Sequence, residues 1–312
     1  MPDMLCRALV LGAAPGTKAL TGEHRAAALK ALAGFQIIDE TEADPGEVWR
    51  LLFVAAEDIA LPDLRHRLRH ALGDAPLDIN VTADDLALTR KRLLVADMES
   101  TIIEQEMLDE LGDIIGRRAE IEDITMRAMR GELDFEAALE ERVAMLAGLD
   151  AGVLDDVARR ITLMPGAETL VATMKANGAY CALVSGGFTC FTAPVARRLG
   201  FDEHQANTLE IVGGKISGRV VPPILGRRAK RAALDRLTRQ LDIDPVLSLA
   251  VGDGANDLDM LTAAGLGVAF HAKPKVREAA SSSPGGAVIS HGDLTALLHL
   301  QGYRSADFVS HA

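Results

Sequence analysis

Three times in this chain a short apolar run stops on a loop of small polar residues. Residues 93–96 (Leu-Leu-Val-Ala) run into Asp97-Met98-Glu99-Ser100-Thr101, and residues 179–184 into Ser185-Gly186-Gly187. Residues 246–251 run into Gly252-Asp253-Gly254-Ala255-Asn256-Asp257. Helical patterns separate the runs, and strands that alternate with helices predict a parallel sheet. In an open sheet of this kind ligands bind beyond the carboxyl ends of the strands, which share one edge. The three loops would therefore bring carboxylates, hydroxyls and glycine backbone to one place.

The alternation does not extend through the whole chain. Residues 107–160 are almost wholly helical in pattern, densely charged and without a strand, which reads as a helical cap inserted over the site at about 107–162. Ahead of residue 93 the spacing predicts strands at 5–11, 35–39, 48–55 and 77–81, with helices at 21–33 and 61–72. That βαββαβ order predicts a small α+β ferredoxin-like (ACT-like) domain over residues 1–86, then a polar linker near 82–91. Residues 87–312 form the Rossmann-like α/β domain. The small domain carries no catalytic constellation. It reads either as a dimerisation or packing module, with a homodimer as one outcome and the oligomeric state open, or as a regulatory domain for a small ligand. Beyond the cap, strands near 208–212 and 216–221 flank a Gly213-Gly214-Lys215 hairpin turn. A basic helix follows at about 228–241, then short βα units at 267–270 and 287–289. The tail from Tyr303 reads as loosely ordered.

Composition removes several function classes. The chain has 312 residues and a net charge of −12, half of it within residues 1–86. No basic arm exists to neutralise nucleic-acid phosphates, and 4% aromatics leave little for bases to stack on, so no nucleic-acid partner is expected. No stretch reaches the ~18 apolar residues of a membrane span, and no signal peptide is legible, so no membrane partner is expected. Cys6, Cys181 and Cys190 are odd in number and lack metal spacing. They read as small hydrophobes in a reducing cytoplasm.

The loop residues themselves point to phosphoryl chemistry. Asp97, at a strand end, is the candidate nucleophile, and clustered hard oxygen donors suit Mg²⁺, which binds few carboxylates and keeps waters for substrate phosphate. The Ser185 hydroxyl and Gly186 N–H would donate to phosphate oxygens, and Lys230 would add a cation. On these residues the sequence resembles the haloacid dehalogenase (HAD) superfamily of aspartyl-phosphate phosphatases, and within it the bacterial phosphoserine phosphatase family. Four motifs carry the resemblance in order: Asp97 to Thr101, Ser185 in Leu-Val-Ser-Gly-Gly-Phe, Lys230 in Ala-Lys-Arg-Ala-Ala-Leu, and Gly252 to Asp257. It covers roughly residues 92–303.

The resemblance implies that Asp97 forms a covalent aspartyl phosphate. It implies Mg²⁺ held by Asp97, Asp253 and the Glu99 backbone carbonyl, with Asn256 and Asp257 orienting that shell and Lys230. Glu99 would protonate the leaving oxygen and then deprotonate water. The family usually has aspartate at this position, and one extra C–C bond moves the carboxylate outward by roughly 1.5 Å. On the cap side the resemblance assigns Glu106 to a substrate amine, Arg142 to a substrate carboxylate, and Met129 and Phe135 to apolar closure over the site. An anion for the amine and a cation for the carboxylate imply O-phospho-L-serine as substrate, and L-serine synthesis as the pathway. Two rivals stay open: a phosphatase for another small phosphomonoester, and an amino-acid-sensing protein with an impaired core, for which Glu99 is the one feature.

Overall fold

The computed structural model describes residues 6–54, 59–83, 88–129 and 132–309. Its first unit holds β1 (Cys6–Ala13), α1 (Gly22–Ala31), β2 (Gln36–Asp44), β3 (Val48–Val54), α2 (Leu61–Leu72) and β4 (Leu77–Ala83). The strands pair in the antiparallel order β2-β3-β1-β4, a ferredoxin-like arrangement. β2 runs to Asp44, five residues beyond the stretch that apolar patterning marks. It is an edge strand, exposed from Gln36 to Glu40 and at Glu42, so the carboxylates of Asp39, Glu40 and Glu42 stay in water while its backbone pairs with β3. Charges on an edge strand also discourage edge-to-edge association.

Alternation in β4 sorts its side chains between two layers. Among them, Val81 joins the buried cluster with Leu9, Leu11, Trp49, Phe53, Leu64 and Leu68 beneath α1 and α2. Asp78, Asn80 and Thr82 point the other way and are also buried. They lie against the second sheet, so the small sheet is covered on both faces at β4.

The remaining elements are β5 (Leu93–Ala96), α3 (Met107–Ile114), α4 (Arg118–Met129), α5 (Phe135–Ala144), α6 (Gly152–Ala158), α7 (Ala167–Ala176), β6 (Tyr180–Phe188), α8 (Thr189–Leu199), β7 (Glu203–Val212), β8 (Lys215–Val221), α9 (Arg227–Gln240), β9 (Ser248–Gly252), α10 (Leu258–Ala263), β10 (Leu266–Phe270), α11 (Pro274–Ser282), β11 (Gly286–Ile289) and α12 (Ala296–Leu300). The sheet runs β11-β10-β9-β5-β6-β7-β8, parallel except for β8. Both faces are covered, which explains why its central strands read as unbroken apolar runs rather than as alternation. Leu94 and Ala96 pack on one face with Leu183, Val251 and Phe270. Leu93 and Val95 pack on the other with Ala182, Ala250 and Leu234. Truncating a buried leucine here to alanine would cost about 2–5 kcal/mol.

Among the described residues, four helices, α3 to α6, fill the segment between β5 and α7. β7 and β8 form the hairpin expected around Gly213 and Gly214, whose φ values of 59° and 77° lie in the left-handed region that the tight turn requires. The hairpin tip meets the turn between α5 and α6, where Ala151 N donates to Gly214 O (2.9 Å) and Gly148 N to Ile216 O (2.8 Å). The expectation of a loose tail is corrected. Tyr303 is buried, Phe308 packs on the His299 ring at 5.0 Å between centroids, and Val309 N donates to Thr173 Oγ1 (2.8 Å). Spaced aromatics without periodicity carry no element signal, but they fill a groove.

Candidate active site

β5 lies between β9 and β6, so the loops after these three strands open on one edge. Asp97 continues the β5 ladder by one residue, its N–H donating to Val251 O (3.0 Å). Its Oδ1 accepts from Met98 N (2.8 Å) and lies 2.7 Å from Lys230 Nζ. Lys230 reaches in from the first turns of α9 and also donates to Asp257 Oδ1 at 2.6 Å. Asp257 ends the short turn after β9, where its Oδ2 accepts from Gly254 N (3.0 Å). Gly252 is dictated by this packing, because a Cβ there would fall 2.3 Å from Asp257 Cγ. Asn256 lies over the same loop, with Oδ1 2.3 Å from where a Gly254 Cβ would stand.

Asp253 completes the group. Carboxylate oxygens of Asp97, Asp253 and Asp257 lie within 4.8 Å of one another. Three acids thus face one ammonium in a largely buried place. Burial first, and then the charge of Asp257, push Asp97 well above the carboxylate range, against the pull of Lys230. The same two causes push Asp253 up to about 7. Burial alone would pull Lys230 down, but Asp257 and Asp97 hold it above its ordinary value. The cluster carries more negative charge than Lys230 offsets, and all its donors are hard oxygens. That donor set fits a small divalent cation such as Mg²⁺.

β6 does not stop at Val184 as the sequence pattern implies; it runs on to Phe188 through an irregular step. Ser185 Oγ accepts from Gly187 N (2.9 Å) within that step. Glu99 packs against Gly187, where a Cβ would fall 2.8 Å from Glu99 Oε1. Oε1 also accepts from Met107 N (3.1 Å), the first helical amide of α3. The extra methylene of Glu99 is therefore accommodated by a glycine on one side and a helix N-terminus on the other, which favours an anion. Burial and then Glu106 push Glu99 up to about 8, opposed by the Met107 N–H, Arg142 and Lys230.

The cap residues gather around the same opening. Glu106 is exposed at the N-terminus of α3, and its Oε1 accepts from Ser100 Oγ (2.7 Å). Arg142, on α5, donates to Ala138 O (3.0 Å) and Thr125 Oγ1 (3.2 Å). Burial lowers its pKa, and Glu99, Asp109 and Glu106 counter that. Phe135, the first residue of α5, covers two glycines: a Cβ on Gly186 or on Gly226 would each meet its ring at 3.1 Å. Met129 closes α4, and its side chain lies outside the described residues. Sequence reading placed Ser100 in the loop without a role of its own and missed Thr125 and Asn207. A lone polar residue in a loop, helix or strand gives no signal until its partners are known.

Comparison with known proteins follows the same lines. A family model described as haloacid dehalogenase-like hydrolase matches residues 94–262. The chain is 46% identical over 229 residues to a phosphoserine phosphatase from Streptomyces coelicolor, covering 73% of this chain and 56% of that one. It is 45% identical over 239 residues to one from Mycobacterium tuberculosis, covering 77% and 57%. The chain thus spans a little over half the length of these relatives. A HAD family hydrolase from Salmonella enterica serovar Typhi superposes with a TM-score of 0.81 at 30% identity, covering 95% of this chain and 98% of that one.

Proposed function

The chain belongs to the haloacid dehalogenase-like hydrolases, and from that premise we propose that it hydrolyses O-phospho-L-serine to L-serine and phosphate through a covalent intermediate on Asp97. The observation that carries the reading is Lys230 Nζ set between Asp97 (2.7 Å) and Asp257 (2.6 Å) beside Asp253 at the strand ends. Asp97, which burial and Asp257 hold toward its neutral form, must be a carboxylate to attack, and both that charge and its approach to a phosphate dianion require nearby cations to offset the repulsion. Asp97, Asp253 and the Glu99 carbonyl would hold Mg²⁺, which would supply the remaining positive charge and polarise the phosphate.

The protein's own groups divide the work. Lys230 and the Met98 N–H both engage Asp97 Oδ1, which leaves Oδ2 to attack phosphorus. Glu99, raised to about 8, keeps its proton at neutral pH and gives it to the departing serine oxygen. The resulting Glu99 carboxylate takes a proton from water as the water oxygen attacks phosphorus. Phosphate leaves, Asp97 regains its carboxylate, and Glu99 is protonated again. The Ser185 hydroxyl and Gly186 N–H bind phosphate oxygens meanwhile. Glu106 and Arg142 give opposite charges at the opening, which suits the ammonium and carboxylate of an amino acid. The names borne by the two relatives support this substrate. The reaction would be the last step of L-serine synthesis. A cytoplasmic location fits the cysteines, since Cys6, Cys181 and Cys190 are all thiols outside any disulfide.

The test is phosphate release from O-phospho-L-serine with Mg²⁺, for the wild type and Asp97→Asn. We expect turnover in the first and none in the second. Full turnover by Asp97→Asn would remove the nucleophile, and an inactive wild type would remove the substrate.

A further inference from the structure

Asn207 lies outside the four motifs, yet it is almost fully buried and uses three hydrogen bonds on two loops of the site. Its Nδ2 donates to Gly186 O (2.8 Å) and Leu225 O (3.2 Å), and its Oδ1 accepts from Leu225 N (2.6 Å). The cause is a mismatch between β6 and β7. Val184 pairs with Gln205 and Phe188 with Asn207, so four steps along β6 oppose two along β7. The step at Ser185–Gly187 bulges away from the ladder, and the Gly186 carbonyl loses its strand partner. A buried carbonyl that leaves the ladder needs a replacement donor, and the Asn207 Nδ2 amide supplies it. Ser185 Oγ holds the N–H of the same peptide unit, at Gly187 (2.9 Å). The Gly186–Gly187 peptide plane is therefore clamped at both ends.

The other arm of Asn207 holds Leu225, just ahead of Gly226 and of α9, the helix that carries Lys230. Phe135 from the cap rests on Gly186 and Gly226, one in each segment that Asn207 joins. We propose that Asn207 is a positioning residue: it locks the Ser185–Gly187 loop to the entry of the lysine helix and so builds the platform on which the cap phenylalanine seats. Whether that loop binds the substrate phosphate rests on the phosphatase reading above.

The test uses the full chain with Mg²⁺. Asn207→Asp keeps the side-chain volume and the acceptor for Leu225 N–H, but sets a carboxylate against two carbonyl oxygens. Asn207→Ala removes all three bonds and adds no charge. In both, kcat/KM for O-phospho-L-serine should fall about 10²-fold, the scale expected for a small misplacement of a reacting group. Inorganic phosphate should bind about tenfold more weakly, a loss of about 1.4 kcal/mol. Amide exchange should accelerate at 185–187 and 224–226 together. Phe135→Ala should cost less activity in the Asn207→Ala background than in the wild type. Unchanged phosphate affinity in both variants, or additive effects of Phe135→Ala and Asn207→Ala, would overturn the proposal. A measurement on the unaltered protein covers variants that fail to fold: inorganic phosphate should slow exchange at Gly187 and Leu225 together, and protection confined to Gly187 would refute the link. If the wild type releases phosphate from no phosphomonoester, the phosphatase reading fails, and linked exchange at the two segments in the variants still decides whether Asn207 joins them.

Discussion

Two buried polar regions of this molecule are built on opposite rules. At the seam between the small sheet and the larger one, the side chains of Asp78, Asn80 and Arg65 all meet backbone. Asp78 accepts from the N–H groups of Ser290 (2.7 Å), His291 (3.1 Å) and Gly292 (2.8 Å). Asn80 exchanges two hydrogen bonds with Val288, donating to its carbonyl at 3.0 Å and accepting from its N–H at 2.8 Å, much as a neighbouring strand would. Arg65 donates to the carbonyls of Val81, Ser281, Ser283 and Gly286. These side chains cover the exposed edge of β11, and their own needs are met. At the strand ends, by contrast, Asp97, Asp253 and Asp257 crowd around one lysine, and their charges do not balance. A saturated polar cluster holds a structure together, whereas an unbalanced one is poised for an ion and a substrate.

That contrast predicts where mutations should strike. Lys230→Met should lower kcat by about 10³-fold, the upper range for losing one charge-stabilising donor. Asp78→Ala should leave kcat near the wild-type value. A large drop in kcat for Asp78→Ala, measured by phosphate release, would show the seam to be part of the chemistry. Glu99→Gln should cost about 10²-fold as its acid/base role is lost, near the lower range for such groups. Glu99→Asp should retain far more activity, and equal losses in the two would end the proton-transfer role. In urea unfolding, Asp78→Ala should cost about 3 kcal/mol, since it strands buried N–H groups that water cannot reach.

The smallest effect concerns pH. His299 borders the cavity between the two sheets, and its Nδ1 donates to Tyr303 O (3.2 Å). Burial, with Arg50 nearby, lowers its pKa to about 4. The unfolded chain binds this proton near pH 6.5, and the folded chain resists it until about 4, so acid favours unfolding. This contribution to stability is intact above pH 6.5 and lost as pH falls toward 4, by about 2 kcal/mol at pH 5. His299→Gln should flatten that part of the stability–pH curve, and a curve unchanged by the substitution would assign the acid sensitivity elsewhere.

Much of the larger sheet was legible because its signals are local. Runs such as Leu93 to Ala96 are apolar on both faces, and a sheet covered on both sides requires that. The loops after them had to be small and polar, and Gly252 and Gly187 are small because Asp257 and Glu99 occupy the space a Cβ would take. The seam was not legible. Alternation in β4 reads as one face buried and one in water, yet Asp78, Asn80 and Thr82 are only 5%, 5% and 2% exposed. A polar residue looks the same in sequence whether water or another sheet lies over it.

The sequence by itself determined the alternation of strands and helices, the edge on which the loops meet, and the residue types offered there. Those follow from side-chain periodicity and from what each strand end can carry. Only the tertiary structure decided that Lys230 stands between Asp97 and Asp257, that Glu99 rests on the N-terminus of α3, and that Asn207 ties two loops together. Those contacts join residues remote in the chain, and their strength comes from the exclusion of water, which no stretch of sequence can specify alone.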